Sequence, residues 1–312
     1  MSFRLRRRKP VAETVRDLGT SLLKQAADLL QVEPPTAPRI HRARTSIKRL
    51  RTLLTLVDPE MGPAPRPLDR QLRDANRALS VRRDADVLQA TWRDLARQGP
   101  ARKSAGFAES EAVLAALAAA RPDQEPLALD AVVWQLHRAR RAWQKLTIDG
   151  NGWPLFAAGL RASYRRGRRQ WRRTRQRPDA DALHALRKQG KHLQYLLELL
   201  EPASPDRLSG ERAAVEALTD LLGRHHDLEV LALALDRELP WPSSRARRQV
   251  LSVLRKRQAT LTRRALRRAE SLFAEPPKDY LRRMKCYWTV WRKPVGSQRP
   301  PRKTRRLTVK PR

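Results

Sequence analysis

A stretch reading IHRARTSIKRLRTLLTLVDP from Ile40 returns as LHALRKQGKHLQYLLELLEP from Leu183, and 184 minus 41 puts the two leading histidines 143 residues apart. At that one offset Arg44 falls on Arg187, Lys48 on Lys191, Leu50 on Leu193, Leu54 on Leu197 and Pro59 on Pro202. The register runs on without a gap through Leu79 over Leu222, Asp84 over Asp227 and Leu88 over Leu231. An internal duplication is the simplest account of about fifty ungapped residues.

On a helix, Ile40, Ile47, Leu50, Leu54 and Val57 form an apolar stripe, and His41, Arg44, Lys48 and Arg51 cluster roughly a third of a turn away. The second copy sets Leu183, Leu193, Leu197 and Leu200 inward with His184, Arg187 and Lys191 beside them. One face packs while its neighbour offers cations. Pro38 and Pro178-Asp179 open the two helices, which puts each histidine in or near a first turn. Free backbone N–H groups and the macrodipole favour an anion there.

Apolar spacing predicts further helices over 11–31, 68–98, 127–146, 155–176, 211–238, 243–273 and 278–291, and no strand. The fold class expected is all-α, with two pseudo-symmetric antiparallel helical bundles: residues 10–147 and 153–293, divided at DGNGWP. Residues 1–9 read as a mobile basic arm and 294–312 as a basic disordered tail. Trp92, Trp134, Trp143 and Trp171 fall at helical spacing and are expected in the core or at its margin. Asp84 and Asp227 are expected to pair with arginines and to take no part in acid–base chemistry.

Lys and Arg number 67 against 32 acidic residues, a net charge of +35 that draws in polyanions. The single cysteine, Cys286, excludes an internal disulfide, and a reducing cytoplasm is the expected setting. No apolar run has signal-peptide length or approaches the ~18 residues of a membrane span, so no membrane partner is expected.

Sequence-independent nucleic-acid binding at low salt follows from such a charge. Yet zinc-finger spacing and an RRM signature are absent, and aromatics are only 5%. His225-His226-Asp227 superficially resembles the His-Asp step of metal phosphohydrolases. Against that reading, Asp227 aligns with Asp84, where the first copy has Arg82-Arg83, and there is no carboxylate cluster for magnesium. The chain also lacks a P-loop and a nucleophile elbow. The expectation is a binding protein with no catalytic residue, metal or cofactor.

Each H-x-x-R motif is followed by an (R/H)-D-x-(D/E)-V-L segment, Arg83 to Leu88 and His226 to Leu231. Over about residues 10 to 290 this resembles the CHAD domain, the conserved histidine α-helical domain. The resemblance implies a duplicated helical bundle that binds inorganic polyphosphate through a basic surface, often in association with polyphosphate granules. Carried onto this sequence, the groove would comprise His41, Arg44, Lys48, Arg49 and Arg51 with His184, Arg187, Lys188 and Lys191. Arg165 and Arg169 of the arginine-rich 155–176 helix would extend it. The second copy departs from the first at His192, over Arg49, and at Gln194, over Arg51, which weighs against equal shares.

Overall fold

The computed structural model describes residues 2–31, 35–61, 65–79, 84–97, 129–148, 150, 152–238 and 243–293. The 294–312 tail and the alanine-rich 101–120 segment lie outside these. Among the described residues the chain is all-α, with ten α-helices and no strand. They are α1 Val11–Leu30, α2 Ala37–Met61, α3 Pro65–Ala78, α4 Asp84–Arg97, α5 Leu129–Lys145, α6 Pro154–Gln176, α7 Ala180–Leu200, α8 Pro205–Glu238, α9 Ser244–Leu272 and α10 Pro277–Arg292. A 3-10 turn, Glu201–Ala203, joins α7 to α8.

Helix starts follow local chemistry. The Asp179 carboxylate accepts from Ala182 N at 2.8 Å to cap α7, and the Ser243 hydroxyl accepts from Ala246 N at 3.1 Å to cap α9. Proline stands in the first turn of α6 and of α10, where its missing N–H costs no hydrogen bond. The starts of α1 and α6 differ by 143, as do those of α2 and α7, matching the motif offset. The expected 68–98 helix is instead α3 and α4, whereas its counterpart α8 runs 34 residues.

A single core joins the two halves. Leu18 and Leu22 of α1, Leu50 and Leu53 of α2, Phe156 and Leu160 of α6 and Leu193 and Leu196 of α7 belong to one buried cluster. The α2 and α6 backbones touch: a Cβ on Gly159 would lie 2.1 Å from the Leu56 carbonyl oxygen, so only glycine fits. A second cluster packs Leu88, Trp92 and Leu95 of α4 against Leu231 and Leu235 of α8 and Val250 and Leu254 of α9. Residues 10–147 and 153–293 therefore share both cores. A helix of the first stretch completes the packing of the second.

The basic arm expected to be mobile is docked. Phe3 and Leu5 are buried, and Leu5 N donates to Leu199 O at 3.0 Å. Arg4 pairs with Glu201 at 2.5 Å, and Arg212 meets the other oxygen of the same carboxylate at 2.8 Å. Arg292 donates to the carbonyls of Arg7 and Lys9 at 2.6 and 3.1 Å. Two apolar side chains and fixed backbone donors outweigh the entropy of a short basic segment. Trp92, Trp143 and Trp171 are buried as expected, but Trp134 is 56% exposed because the α5 apolar stripe runs through Val132, Leu136, Ala139 and Trp143.

Candidate functional site: cations along two motif helices

His184, Arg187 and Lys191 occupy i, i+3 and i+7 of α7 and face α8. Gly223 of α8 opens the space: a Cβ there would meet Arg187 Nε at 3.4 Å and Nη2 at 3.6 Å. The His184 ring lies 4.6 Å from that of His226, also on α8. Burial first, then Lys188, His226 and Arg187, lowers the His184 pKa to about 4, Asp181 opposing. Without an anion beside it the ring is neutral at pH 7. Burial also pushes the Lys191 ammonium below its ordinary value, and Arg187 adds to this while Asp220 and Glu216 oppose. Lys191 Nζ donates to Gln194 Oε1 at 3.0 Å.

Two nitrogens in this seam stand out. His184 Nδ1 and Arg187 Nε are closed off from solvent and have no hydrogen-bond partner among the described residues. A buried polar nitrogen without a partner is costly, so an acceptor entering the seam has a ready place.

On α2, His41 is exposed while Arg44 and Lys48 are half-buried. At the offset of 143, Arg73 and Arg77 of α3 stand where α8 has Glu216 and Asp220. The two motif helices thus lie beside neighbours of opposite charge. The sequence alignment contained this signal, but only the position of Asp220 and Glu216 near Lys191 gives it meaning.

Arg49 and Arg51 do not join the α7–α8 seam. Arg49 grips Glu198 with Nε at 3.1 Å and Nη2 at 2.5 Å, and its guanidinium lies over the Phe3 and Tyr195 rings. Arg51 Nε donates to Asp69 at 2.7 Å, and Arg73 shares that carboxylate at 2.7 Å. Burial alone would raise Asp69, but the two guanidiniums hold it below the ordinary carboxylate range. Tyr195, facing Arg49 and near enough to Arg187 to be affected by it, has its hydroxyl pKa raised, chiefly by burial.

His192, over Arg49 in the alignment, serves a structural role. Thr52 Oγ1 already donates to the Lys48 carbonyl at 3.1 Å, so it accepts from His192 Nδ1 at 3.2 Å. His192 Nε2 then accepts from Ser163 Oγ at 3.1 Å, which joins α2, α6 and α7 through one neutral ring. Burial, with Arg166 and Arg51 adding to it against Asp69, lowers its pKa to about 3. Lys188 is exposed on α7. Arg165 and Arg169 are exposed on α6, opposite Leu160, Tyr164, Gly167 and Trp171, and have no ion-pair partner among the described residues.

Both histidines sit in the second turns of their helices, since α2 begins at Ala37 and α7 at Ala180. The Asp179 side chain already takes an N-terminal amide of α7. His225 is buried and only His226 faces α7, which separates the two neighbouring histidines. Among the described residues no three of His, Cys, Asp and Glu converge as metal ligands. The Asp84 side chain lies outside the described residues. No described helix is long and apolar enough to cross a membrane.

Comparison with known families finds that the model described as CHAD domain matches residues 20–236. No curated protein and no solved structure matches the chain.

Proposed function

The chain belongs to the CHAD domain family, a family linked to polyphosphate binding, and from that premise we propose that it binds inorganic polyphosphate through its two motif helices without cleaving it. The observation that carries this reading is the α7–α8 seam, where Arg187 Nε and His184 Nδ1 lack partners beside Lys191. A phosphate oxygen there accepts from Arg187 Nε and offsets the burial and cation repulsion that hold His184 neutral. Repeated charge along the ligand matches cations spaced one helical turn apart, and arginine can grip two phosphate oxygens at once.

His184, Arg187, Lys191 and Lys188 form the second-copy part of this surface, with His41, Arg44 and Lys48 on the first. Arg165 and Arg169 add an outer, more salt-sensitive contact. Arg49 and Arg51 hold the motif helices to Glu198 and Asp69 and act on the ligand through that positioning. Residence on polyphosphate granules in the cytoplasm follows as part of the same proposal.

The test is competition of long-chain polyphosphate against single-stranded RNA and duplex DNA, at about 0.15 M and about 0.5 M salt, on the wild type and on Arg44→Ala/Arg187→Ala. The expected result is that polyphosphate keeps its advantage at the higher salt and the double variant abolishes it. Equal competition by nucleic acid, unchanged in the variant, would replace this reading with general polyanion binding. Shortening of the polyphosphate during incubation would overturn the non-catalytic part.

A further inference from the structure

Away from the motif helices, α3 and α5 enclose an open pocket of about 460 Å3. Arg70, Gln71 and Asp74 of α3 line it with Trp134, Gln135 and Arg138 of α5. Gln71 Nε2 donates to the Gln135 backbone carbonyl at 2.8 Å, which ties the two walls together. The Arg138 guanidinium lies over the Trp134 ring, 5.4 Å from its centroid, and more than half of that residue faces solvent. Arg70 and Asp74 are exposed, and neither has an ion-pair partner among the described residues. The side-chain Oε1 of Gln135 is buried and accepts no hydrogen bond.

The second half of the chain sets aside a packing explanation for these groups. At the offset of 143, positions 70, 71 and 74 become Ala213, Ala214 and Ala217 of α8. The corresponding helix is therefore built with alanine at all three. Nothing in the core of α3, formed by Leu68, Leu72 and Ala75, requires a cation, an amide and a carboxylate on its outer face.

We propose that this pocket binds a nucleoside monophosphate. The base stacks on Trp134, the phosphate meets Arg70 and Arg138, and Asp74 with the Gln135 carbonyl takes N–H or hydroxyl donors from the base edge or the ribose. An exposed indole rewards a flat ring system, and paired guanidiniums reward a phosphate. The two acceptors select further, because a bare phosphate chain has no donor to give a carboxylate or an amide oxygen. Turning the Gln135 amide into the pocket would also relieve its unsatisfied oxygen. This site does not depend on the polyphosphate reading.

The experiment is calorimetric titration of the full chain with AMP at about 0.15 M salt, with adenosine and orthophosphate as partial ligands. AMP is expected to bind with Kd below about 1 mM, more tightly than either fragment. Trp134→Ala should weaken AMP and adenosine at least about tenfold and leave the helical circular-dichroism spectrum and thermal midpoint unchanged, which shows that the variant is folded. Arg70→Ala/Arg138→Ala should weaken AMP about tenfold while adenosine is spared. Arg44→Ala/Arg187→Ala should keep wild-type affinity for AMP. Three results would each overturn the proposal: no AMP binding at 1 mM or below, AMP binding indifferent to Trp134→Ala, or orthophosphate binding as tightly as AMP, which would reduce the pocket to surface charge.

Discussion

Replacing His192 by glutamine should make the fold less sensitive to acid. The His192 ring is satisfied only when neutral, because Nδ1 donates to Thr52 while Nε2 accepts from Ser163, whose oxygen already accepts from Arg166 at 3.0 Å. A second ring proton would point at that occupied oxygen in the field of two arginines. The unfolded chain takes the proton below the ordinary 6.5, the folded chain only near 3. The contribution is therefore complete above pH 6.5 and is lost as pH falls toward 3. At about 1.4 kcal/mol per tenfold change in proton affinity, the loss is roughly 2 kcal/mol by pH 5. Glutamine keeps one donor and one acceptor but does not titrate. Urea denaturation of both proteins at pH 8 and pH 5, at fixed ionic strength, should show His192→Gln about 1–2 kcal/mol less stable at pH 8 and equal or more stable at pH 5. An identical gap at both pH values would refute the assignment of a buried neutral ring.

Polyphosphate affinity should be nearly flat from pH 8 to 7 and rise as pH falls toward 4, because bound phosphate raises the proton affinity that the empty seam lowers to about 4. Titrations at pH 7.5 and 5 check this, and the rise should vanish in His184→Gln; a parallel rise in that variant would exclude His184 as its source. Glu216→Arg/Asp220→Arg gives α8 the basic residues that α3 carries, so log K against log salt should steepen by about one per added phosphate contact. An unchanged salt slope would place those carboxylates outside the ligand path. Gly159→Ala must separate α2 from α6 and should cost more than about 3 kcal/mol in thermal or urea denaturation, whereas Gly210→Ala, with no atom within 4 Å of the new methyl, should be neutral or slightly stabilising. Similar behaviour of the two variants would show that the crossing is looser than described.

Much of this architecture was legible from spacing. The 155–176 and 278–291 helices were expected within a residue or so of Pro154–Gln176 and Pro277–Arg292, because proline and a broad apolar stripe mark such elements strongly. What spacing does not give is the partner across a fold. Arg51 shares the helical face of Lys48 and the family resemblance adds Arg49, yet the carboxylates that hold Arg49 and Arg51 lie 149 and 18 residues away in sequence. Pro38 and Pro178-Asp179 set each histidine in or near a first turn, whereas starts at Ala37 and Ala180 put both at the beginning of the second. Trp134 was separable in principle, since a residue two positions from Val132 falls across the helix from the buried stripe. The arm carried its signal in Phe3 and Leu5, alternating between basic residues, but two apolar side chains are too few to outweigh composition without sight of the groove they enter.

The docking of that arm has a consequence for the order in which the molecule can be made. Leu5 is made well before its backbone partner Leu199, and the carbonyls of Arg7 and Lys9 wait for Arg292. Arg7 therefore waits for a residue made 285 positions later. At about 5–20 residues per second, that interval lasts some tens of seconds. Completion of the native state is thereby tied to synthesis of α10: a chain truncated before it keeps the Leu5–Leu199 and Arg4–Glu201 contacts but loses the Arg292 bonds to Arg7 and Lys9.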